Sequence, residues 1–323
     1  MLVCYLNSEK KFNSQYWEQI NEGSALKFKF KLMCYNVLAQ YFDYEWGYRI
    51  KLISNEVYAL DPDVICLQEV QESHMQVFSD KFKQFGYEGV YKKKTGDRID
   101  GCAVFYKTRM WKLEEKVIIE YNYPEVVLLA SNSIAILVKL TSISSPDTPI
   151  LVANTHLVFN CKYNAPAARL AQMRILLAEI EKHSLNSTGD GYLPIIIAGD
   201  FNSTPDSTVI KLLNDGNVCI PVEHSLEKLG LAEHPLTVNS TQSTARIVTH
   251  PFKLTSVYNL SKCLNRESPV DYIYYSYEHL KLMERLTMPI RQKRGPDKTD
   301  ASDHLSIAAV FELNVHRKPL MSK

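Results

Sequence analysis

The chain has 323 residues, of which 46% are hydrophobic and 23% charged, and its formal net charge is +1. This is an ordinary globular composition with ample apolar mass for a core, and it excludes a disordered polyelectrolyte. Near-neutral charge also excludes bulk attraction to nucleic acid, so any such contact has to come from local patches.

Residues 1–24 are polar and aromatic without periodicity and read as a loosely attached N-terminal arm; 25–316 read as one domain and 317–323 as a C-terminal tail. Lys27 to Leu32 alternates polar and apolar residues, the pattern of a half-exposed strand, and runs into Met33-Cys34-Tyr35-Asn36. Ile50, Ile53, Val57 and Leu60 have helical spacing over 48–60, and Asp61-Pro62-Asp63 stops that helix. Val64 to Leu67 is an apolar strand ending in Gln68-Glu69. A helix is expected over 72–85, closed by Gly86, and a charged loop over Lys92 to Gly101. Strands are expected at Ala103 to Tyr106, Val117 to Ile119, Ile134 to Leu140 and Ile150 to Ala153. Asn154-Thr155-His156 follows the last of these.

Pro166 suits the first turn of a helix whose apolar stripe is Leu170, Met173, Leu177 and Ile180. Ile195 to Ala198 has no polar break, as in a strand buried on both faces, and Gly199, Asp200 and Asn202 follow it. Ser203 or Asp206 is a candidate cap for the next helix. Residues 214–260 carry no clear period. Val270 to Ser276 is an aromatic-rich strand opening at Asp271, and a basic loop over 291–300 leads to Asp303, His304 and a last strand. Strands outnumber helices, and helices fall between groups of strands. The expected fold is an α/β four-layer sandwich, two packed mixed β-sheets flanked by helices.

Seven cysteines, at 4, 34, 66, 102, 161, 219 and 263, are odd in number and scattered, with no Cys-x-x-Cys pair. Free thiols in a reducing compartment are expected. No apolar run reaches membrane-spanning length, and the N-terminus has no secretory pattern. An intracellular address, cytoplasmic in the first instance, and no membrane partner are expected; nucleus and mitochondrion stay open.

Five polar sites share one grammar. Asn36, Glu69, Asn154 with His156, Asp200 with Asn202, and Asp303 with His304 each stand at a junction beside an apolar strand, and Asp271 begins one. Taken singly, each has an ordinary explanation as a turn residue, a solvated strand end or a structural histidine. Together they put the same chemistry at the same kind of position five times, and strand ends gather at one edge of a sheet. A hard cation such as Mg²⁺ takes oxygen ligands and keeps several waters, which suits Glu69 with Asp303. Histidine and asparagine suit a phosphoryl group gaining charge. Asp200 can position and deprotonate water, and His304, oriented by Asp271, can bind phosphate or share the base role. No Ser or Cys stands in a nucleophile motif, so direct attack by water is expected.

Cys34-Tyr35-Asn36-Val37-Leu38, Leu67-Gln68-Glu69-Val70, Asn154-Thr155-His156-Leu157, Gly199-Asp200-Phe201-Asn202-Ser203, Val270-Asp271-Tyr272-Ile273 and Ser302-Asp303-His304-Leu305 stand in the order of the exonuclease–endonuclease–phosphatase (DNase I-like) superfamily. The chain resembles that superfamily's carbon-catabolite-repressor-type deadenylase branch over about residues 30–313. Asp100-Gly101-Cys102-Ala103 after a Lys-Thr-Gly loop, and His156-Leu157-Val158-Phe159-Asn160, are similar to the Angel proteins within it.

The resemblance implies a catalytic domain over 25–316, dependence on magnesium or manganese, and removal of a 2′,3′-cyclic phosphate from RNA 3′ ends to leave a diol. It implies Glu69 as metal ligand, Asn36 in support of the metal or phosphate, and Asp303 near the metal. His156 and Asn202 hold phosphate, Asp200 and His304 flank the attacking water, and Asp271 partners His304. Asn154, Lys94, Arg98 and Phe159 are expected to bind substrate, Phe159 with Tyr163 and Tyr91 as stacking candidates. Lys92, Lys93, Arg291, Lys293 and Arg294 are further candidate RNA contacts. The alternative activity is a 3′-to-5′ poly(A) exoribonuclease. A silent binding module and a small-molecule or phosphoinositide phosphatase stand behind both. No leucine-rich repeat precedes the motifs, so no route of that kind into a deadenylase complex is expected.

Overall fold

A computed structural model describes residues 15–22, 27–39, 46–144, 146, 149–160, 164–186, 189–221, 245–258, 269–288, 296 and 299–313. In chain order the elements are β1 (Trp17–Gln19), β2 (Lys29–Asn36), α1 (Trp46–Leu60), β3 (Val64–Gln71), α2 (Met75–Lys83), β4 (Tyr87–Lys93), β5 (Asp100–Lys107), β6 (Trp111–Glu120), β7 (Ile134–Ser142) and β8 (Ile150–His156). They continue with α3 (Ala165–Ser184), β9 (Ile195–Asp200), α4 (Thr208–Asp215), β10 (Asn217–Pro221), β11 (Ala245–Thr249), β12 (Leu254–Ser256), β13 (Asp271–Ser276), β14 (Leu280–Leu286) and β15 (Ile307–Leu313).

Strands with apolar residues on both faces need two apolar layers, and they find them. In β2, Phe30, Leu32 and Cys34 face the space between the sheets, while Met33 and Tyr35 pack under α1 and α2. In β9, Ile196 and Ala198 join the same inter-sheet layer, and Ile195 and Ile197 pack under α3 and α4. The layers are therefore helix, sheet, sheet, helix. One sheet has seven strands in the order β1-β14-β15-β2-β3-β5-β4, and the other six, β12-β13-β9-β8-β7-β6. Both are mixed, with β2–β3 and β8–β9 the parallel pairs. A two-stranded sheet, β10-β11, stands beside them.

This topology brings the polar junctions together. Parallel pairing sets the end of β2 beside the end of β3, Asn36 opposite Gln68, and the end of β8 beside the end of β9, His156 opposite Asp200. β13 runs antiparallel to β9, so its first residue, Asp271, lies opposite Asp200. β15 runs antiparallel to β2, with Ile307 opposite Cys34, so the segment carrying Asp303 and His304 enters at the same edge.

Several local readings are revised. Trp17–Gln19, read as part of a loose arm, pair with Leu286–Glu284 at the edge of the seven-stranded sheet. The charged loop over 92–101 is shorter, because β4 runs to Lys93 and β5 starts at Asp100. That edge strand buries little beyond Tyr87 and Val90, which hid its period. Ser207, not Ser203 or Asp206, caps α4, accepting from the Ile210 N–H at 3.4 Å. The basic loop residues Arg291, Lys293 and Arg294, Tyr163, and the 317–323 tail lie outside the described residues.

Asn154 is the clearest departure. Expected to bind substrate, it is wholly buried between the sheets. Its amide donates to the Leu67 and Ala103 carbonyls, both at 2.9 Å, and its Oδ1 accepts from Gln68 Nε2 at 2.7 Å. Both donors are used on the opposite sheet, so Asn154 is a clamp between layers.

Gly199 is required where β9 meets the site. A Cβ there would stand 1.9 Å from the Thr155 carbonyl oxygen, and φ is +150°. Gly199→Ala is expected to destabilise the fold by about 3 kcal/mol or more, read from urea unfolding. A loss within about 0.5 kcal/mol would show that the β8–β9 junction relaxes freely.

Candidate active site

The strand ends do not simply stop; they turn inward through strained backbone. Leu38, Glu69 and Asn202 have φ of 59°, 60° and 48°, a left-handed region that side chains other than glycine rarely adopt. At Glu69 the cause is visible: the β3–β5 register slips between Leu67 and Val70, a bulge that re-aims the side chain. Strain of this kind clusters at functional sites because surrounding contacts hold it in place.

Those contacts converge on Asn36, which is completely buried. Its Nδ2 donates to Glu69 Oε1 and to Asp200 Oδ2, each at 3.0 Å, and its Oδ1 accepts from the Leu38 N–H at 3.0 Å. The second Glu69 oxygen accepts from the Ala39 N–H at 2.8 Å. Asn36, expected to support the metal or the phosphate, turns its nitrogen to two carboxylates, one of them the expected metal ligand Glu69. The loop bearing Asp303 and His304 is tied in by Ser302, whose hydroxyl donates to the Asn36 carbonyl at 2.7 Å and accepts from the His304 N–H at 3.1 Å.

Two histidines flank Asp200 in opposite charge environments. His304 Nδ1 bonds Asp271 Oδ2 at 2.7 Å, and its Nε2 lies 3.8 Å from Asp200 Oδ2. Burial disfavours the imidazolium, but Asp271, by charge and hydrogen bond, and then Asp200 and Asp303 outweigh it and push the His304 pKa up to about 10. His156 Nε2 lies 3.5 Å from the same Asp200 oxygen. Burial, with the charges of Lys94, His304 and Arg98, pushes His156 well below the ordinary histidine range, so it is neutral. Asp200 is itself wholly enclosed: burial first, then the Asp271 charge, raises its pKa to about 7 against the opposing pull of His304, the Asn202 N–H and Asn36.

Two groups of ligand atoms lie mutually within 4.8 Å: Glu69, His156 and Asp200, and Asp200, Asp271 and His304. Among the described residues the buried Asp271 Oδ1 atom has no hydrogen-bond partner. Asn202 sits at the mouth, donating from Nδ2 to the Leu157 carbonyl at 2.8 Å, while its N–H donates to Asp200 Oδ1 at 2.9 Å. Asp303 is half-buried next to His304. Phe159, 77% exposed, stands three residues past His156. Arg98 is half-exposed near Asp100.

Other expected RNA contacts are already engaged. Lys94 is buried against Asp100 and His156, Lys92 pairs with Glu120 and Lys93 with Glu72. The Tyr91 hydroxyl donates to the Val70 carbonyl. Arg49 was missed. Buried in α1, it donates to the carbonyls of Val37, Leu38 at 2.6 Å and Ala301 at 2.7 Å, holding both loops that frame the site. The available signal was an arginine four residues before Ile53, on the face of α1 that the stripe buries.

The Endonuclease/Exonuclease/phosphatase family model matches residues 33–304. Protein angel of Drosophila melanogaster is 30% identical over 303 residues, covering 87% of this chain and 80% of that protein. Protein angel homolog 1 of Homo sapiens is 34% identical over 220 residues, covering 62% of this chain; the match spans only 32% of that longer relative. Among solved structures, ANGEL2, described as a 2′,3′-cyclic phosphatase in complex with adenosine-2′,3′-vanadate, superposes with a TM-score of 0.80 at 29% identity, covering 93% of this chain and 99% of that one. A Nocturnin catalytic domain, at 23% identity and a TM-score of 0.66, shares the fold. With the family model running from β2 to His304 and the same layered fold in its relatives, the chain belongs to the endonuclease/exonuclease/phosphatase family and is Angel-like within it.

Proposed function

We propose that this chain hydrolyses the 2′,3′-cyclic phosphate at RNA 3′ ends, releasing inorganic phosphate and leaving a 2′,3′-diol. The observation that carries the reading is the pair of histidines around one Asp200 oxygen. A carboxylate with pKa about 7 lies between a cationic histidine and a neutral one. Pairs of groups pushed apart in this way separate the acid from the base. The similarity to a 2′,3′-cyclic phosphatase over nearly the whole chain supports the same substrate class.

The residues divide the chemistry as follows. Asp200, about half ionised near neutrality, accepts a proton from water as its oxygen bonds to phosphorus. The P–O bond to one ribose oxygen breaks, and the His304 imidazolium gives that oxygen its proton. Asp271 stabilises the imidazolium and fixes its orientation. His156 donates from Nε2 to a phosphoryl oxygen, and the second amide N–H of Asn202 points to another role of the same kind. Asp200 returns its proton to His304 Nε2, 3.8 Å away, which resets both groups; a second water then repeats the sequence on the monoester, breaking the remaining ribose P–O bond and freeing phosphate. Phe159 offers an exposed ring to the terminal base, and Arg98 a charge to the chain beyond it.

The donor set fits a hard divalent cation. Among the described residues, the hydrogen bonds to the Glu69 oxygens come from neutral donors, Asn36 and the Ala39 N–H, which leaves lone pairs for a cation. Glu69, with Asp303 as the second expected carboxylate, would hold Mg²⁺ or Mn²⁺, and the cation would supply Lewis-acid polarisation of a phosphoryl oxygen. Cys34, Cys66 and Cys102 are free and buried, and burial pushes the Cys102 thiol up to about 12. Inert thiols of this kind support an intracellular, cytoplasmic address. Among the described residues no helix is long and apolar enough to cross a membrane.

Two RNAs of one sequence test the activity, one ending in 2′,3′-cyclic phosphate and one in a 3′-hydroxyl poly(A) tail. With Mg²⁺, phosphate is expected from the first, the second stays uncut, and Glu69→Ala lowers turnover by roughly 100-fold or more. A ladder of shortened poly(A) would make the protein a deadenylase instead.

The histidine pair makes a separate prediction for the metal-free protein. Because the folded pKa of His304 lies above its unfolded value, its stabilisation is complete below the unfolded pKa of about 6.5 and is lost as pH rises through about 10. Wild type is therefore expected to lose more unfolding free energy than Asp271→Asn between about pH 7 and about pH 9.5, by at least about 1 kcal/mol. Parallel losses would show that Asp271 does not hold the charge.

A further inference from the structure

We propose that Lys94 is a positioning residue: with Asp100 it forms a buried ion pair that holds His156 in the one neutral tautomer able to donate toward the phosphate. The inference rests on the phosphoesterase reading above and names a residue that reading leaves unused.

Lys94 and Asp100 are 6% and 1% exposed, and their charges meet at 2.6 Å. That burial leaves the ammonium no surface from which to reach an RNA backbone. Its Nζ instead lies 3.1 Å from His156 Nδ1. An ammonium has three donors and no lone pair, so Nδ1 has to be the acceptor. The proton of the neutral ring then belongs to Nε2, on the side of Asp200, 3.5 Å away. A carboxylate at Nδ1, as at His304, would favour imidazolium instead. A cation at Nδ1 does the reverse, keeping the ring neutral and its donor fixed.

The backbone is built to deliver this contact across the sheets. A Cβ at Gly101 would stand 2.1 Å from the Lys92 carbonyl oxygen, so β4 and β5 approach as closely as they do only because glycine is there. The Lys94 N–H donates to the Asp100 carbonyl at 2.9 Å. Thr95 then ties the loop to the six-stranded sheet's side, its N–H donating to the Asn132 carbonyl at 3.2 Å and its hydroxyl to Asn132 Oδ1 at 2.8 Å. Lys94 thus leaves the seven-stranded sheet and meets a histidine of β8 in the other. Arg98 Nε, 3.6 Å from Asp100 Oδ1, is the more exposed second cation on the same carboxylate.

The test combines tautomer and kinetics in the full chain. Removing Lys94 alone strands a buried carboxylate, so the informative variant is Lys94→Met with Asp100→Asn, and Lys94→Arg is the conservative control. In metal-free protein with ¹⁵N-labelled histidine, long-range ¹H–¹⁵N spectra are expected to show His156 protonated at Nε2 in wild type and Lys94→Arg, and a shift toward Nδ1 protonation in the double variant. On cyclic-phosphate RNA the double variant is expected to lose about 10-fold or more in kcat with KM within about 3-fold, and to add nothing when combined with His156→Ala. A wild-type His156 protonated at Nδ1 would overturn the proposal. So would a rise in KM with a flatter salt dependence and full additivity with His156→Ala, the signature of a direct RNA contact. Should wild type leave cyclic phosphate untouched, the proposed function fails, and the tautomer spectra alone decide the role of Lys94.

Discussion

Asn36, at the end of β2, donates from one amide nitrogen to a carboxylate of each sheet, Glu69 from the seven-stranded and Asp200 from the six-stranded. Two carboxylates converging in a low-dielectric space repel each other, and each loses its hydration. A neutral donor shared between them offsets part of both penalties without adding a charge that would neutralise either. The left-handed backbone at Leu38, Glu69 and Asn202 serves the same point, turning three strand ends toward it. Arg49 braces the loops behind, and Ser302 fastens the His304 segment to the Asn36 carbonyl itself. Remove the amide and Glu69 and Asp200 lose the one donor they share.

From that seam follows a gradient of protonation. Asp200 is enclosed on every side, so its charged form is penalised and its pKa climbs to about 7. His304 gains a carboxylate on its far nitrogen and stays cationic; His156 gains an ammonium on its far nitrogen and stays neutral. The two imidazoles approach one oxygen with opposite charge because of what lies behind them. Catalysis needs an acid, a base and a fixed donor within one small volume, and this arrangement supplies one of each.

Much of this was legible in the residues. Buried strands announced themselves as unbroken apolar runs, and the polar residues at their ends could be listed before any coordinate was known. Asp200, His304, His156, Asn36, Glu69 and Asp271 do converge, because parallel and antiparallel registers bring their strand ends to one edge. Periodicity says which face a residue occupies but not which sheet lies opposite. Asn154 therefore read as a site residue when it clamps the layers, and Lys94 read as a surface cation when it is buried. The β3 bulge at Glu69 left no mark in the pattern, since a slip of one residue is invisible without the partner strand. Edge strands β4 and β1 were hidden for a simpler reason: they bury too little to show a period.

The account stands on a buried carboxylate poised near neutrality at the meeting point of the strand ends. Carbon-13 NMR of the aspartate carboxyls in metal-free protein, with Asp200 assigned by the loss of its signal in Asp200→Asn, measures this directly. An apparent pKa raised to about 7 for Asp200 is the expected result. A value near the ordinary carboxylate range, about 4, would mean that the site is open to water and that Asp200 is not the proton acceptor.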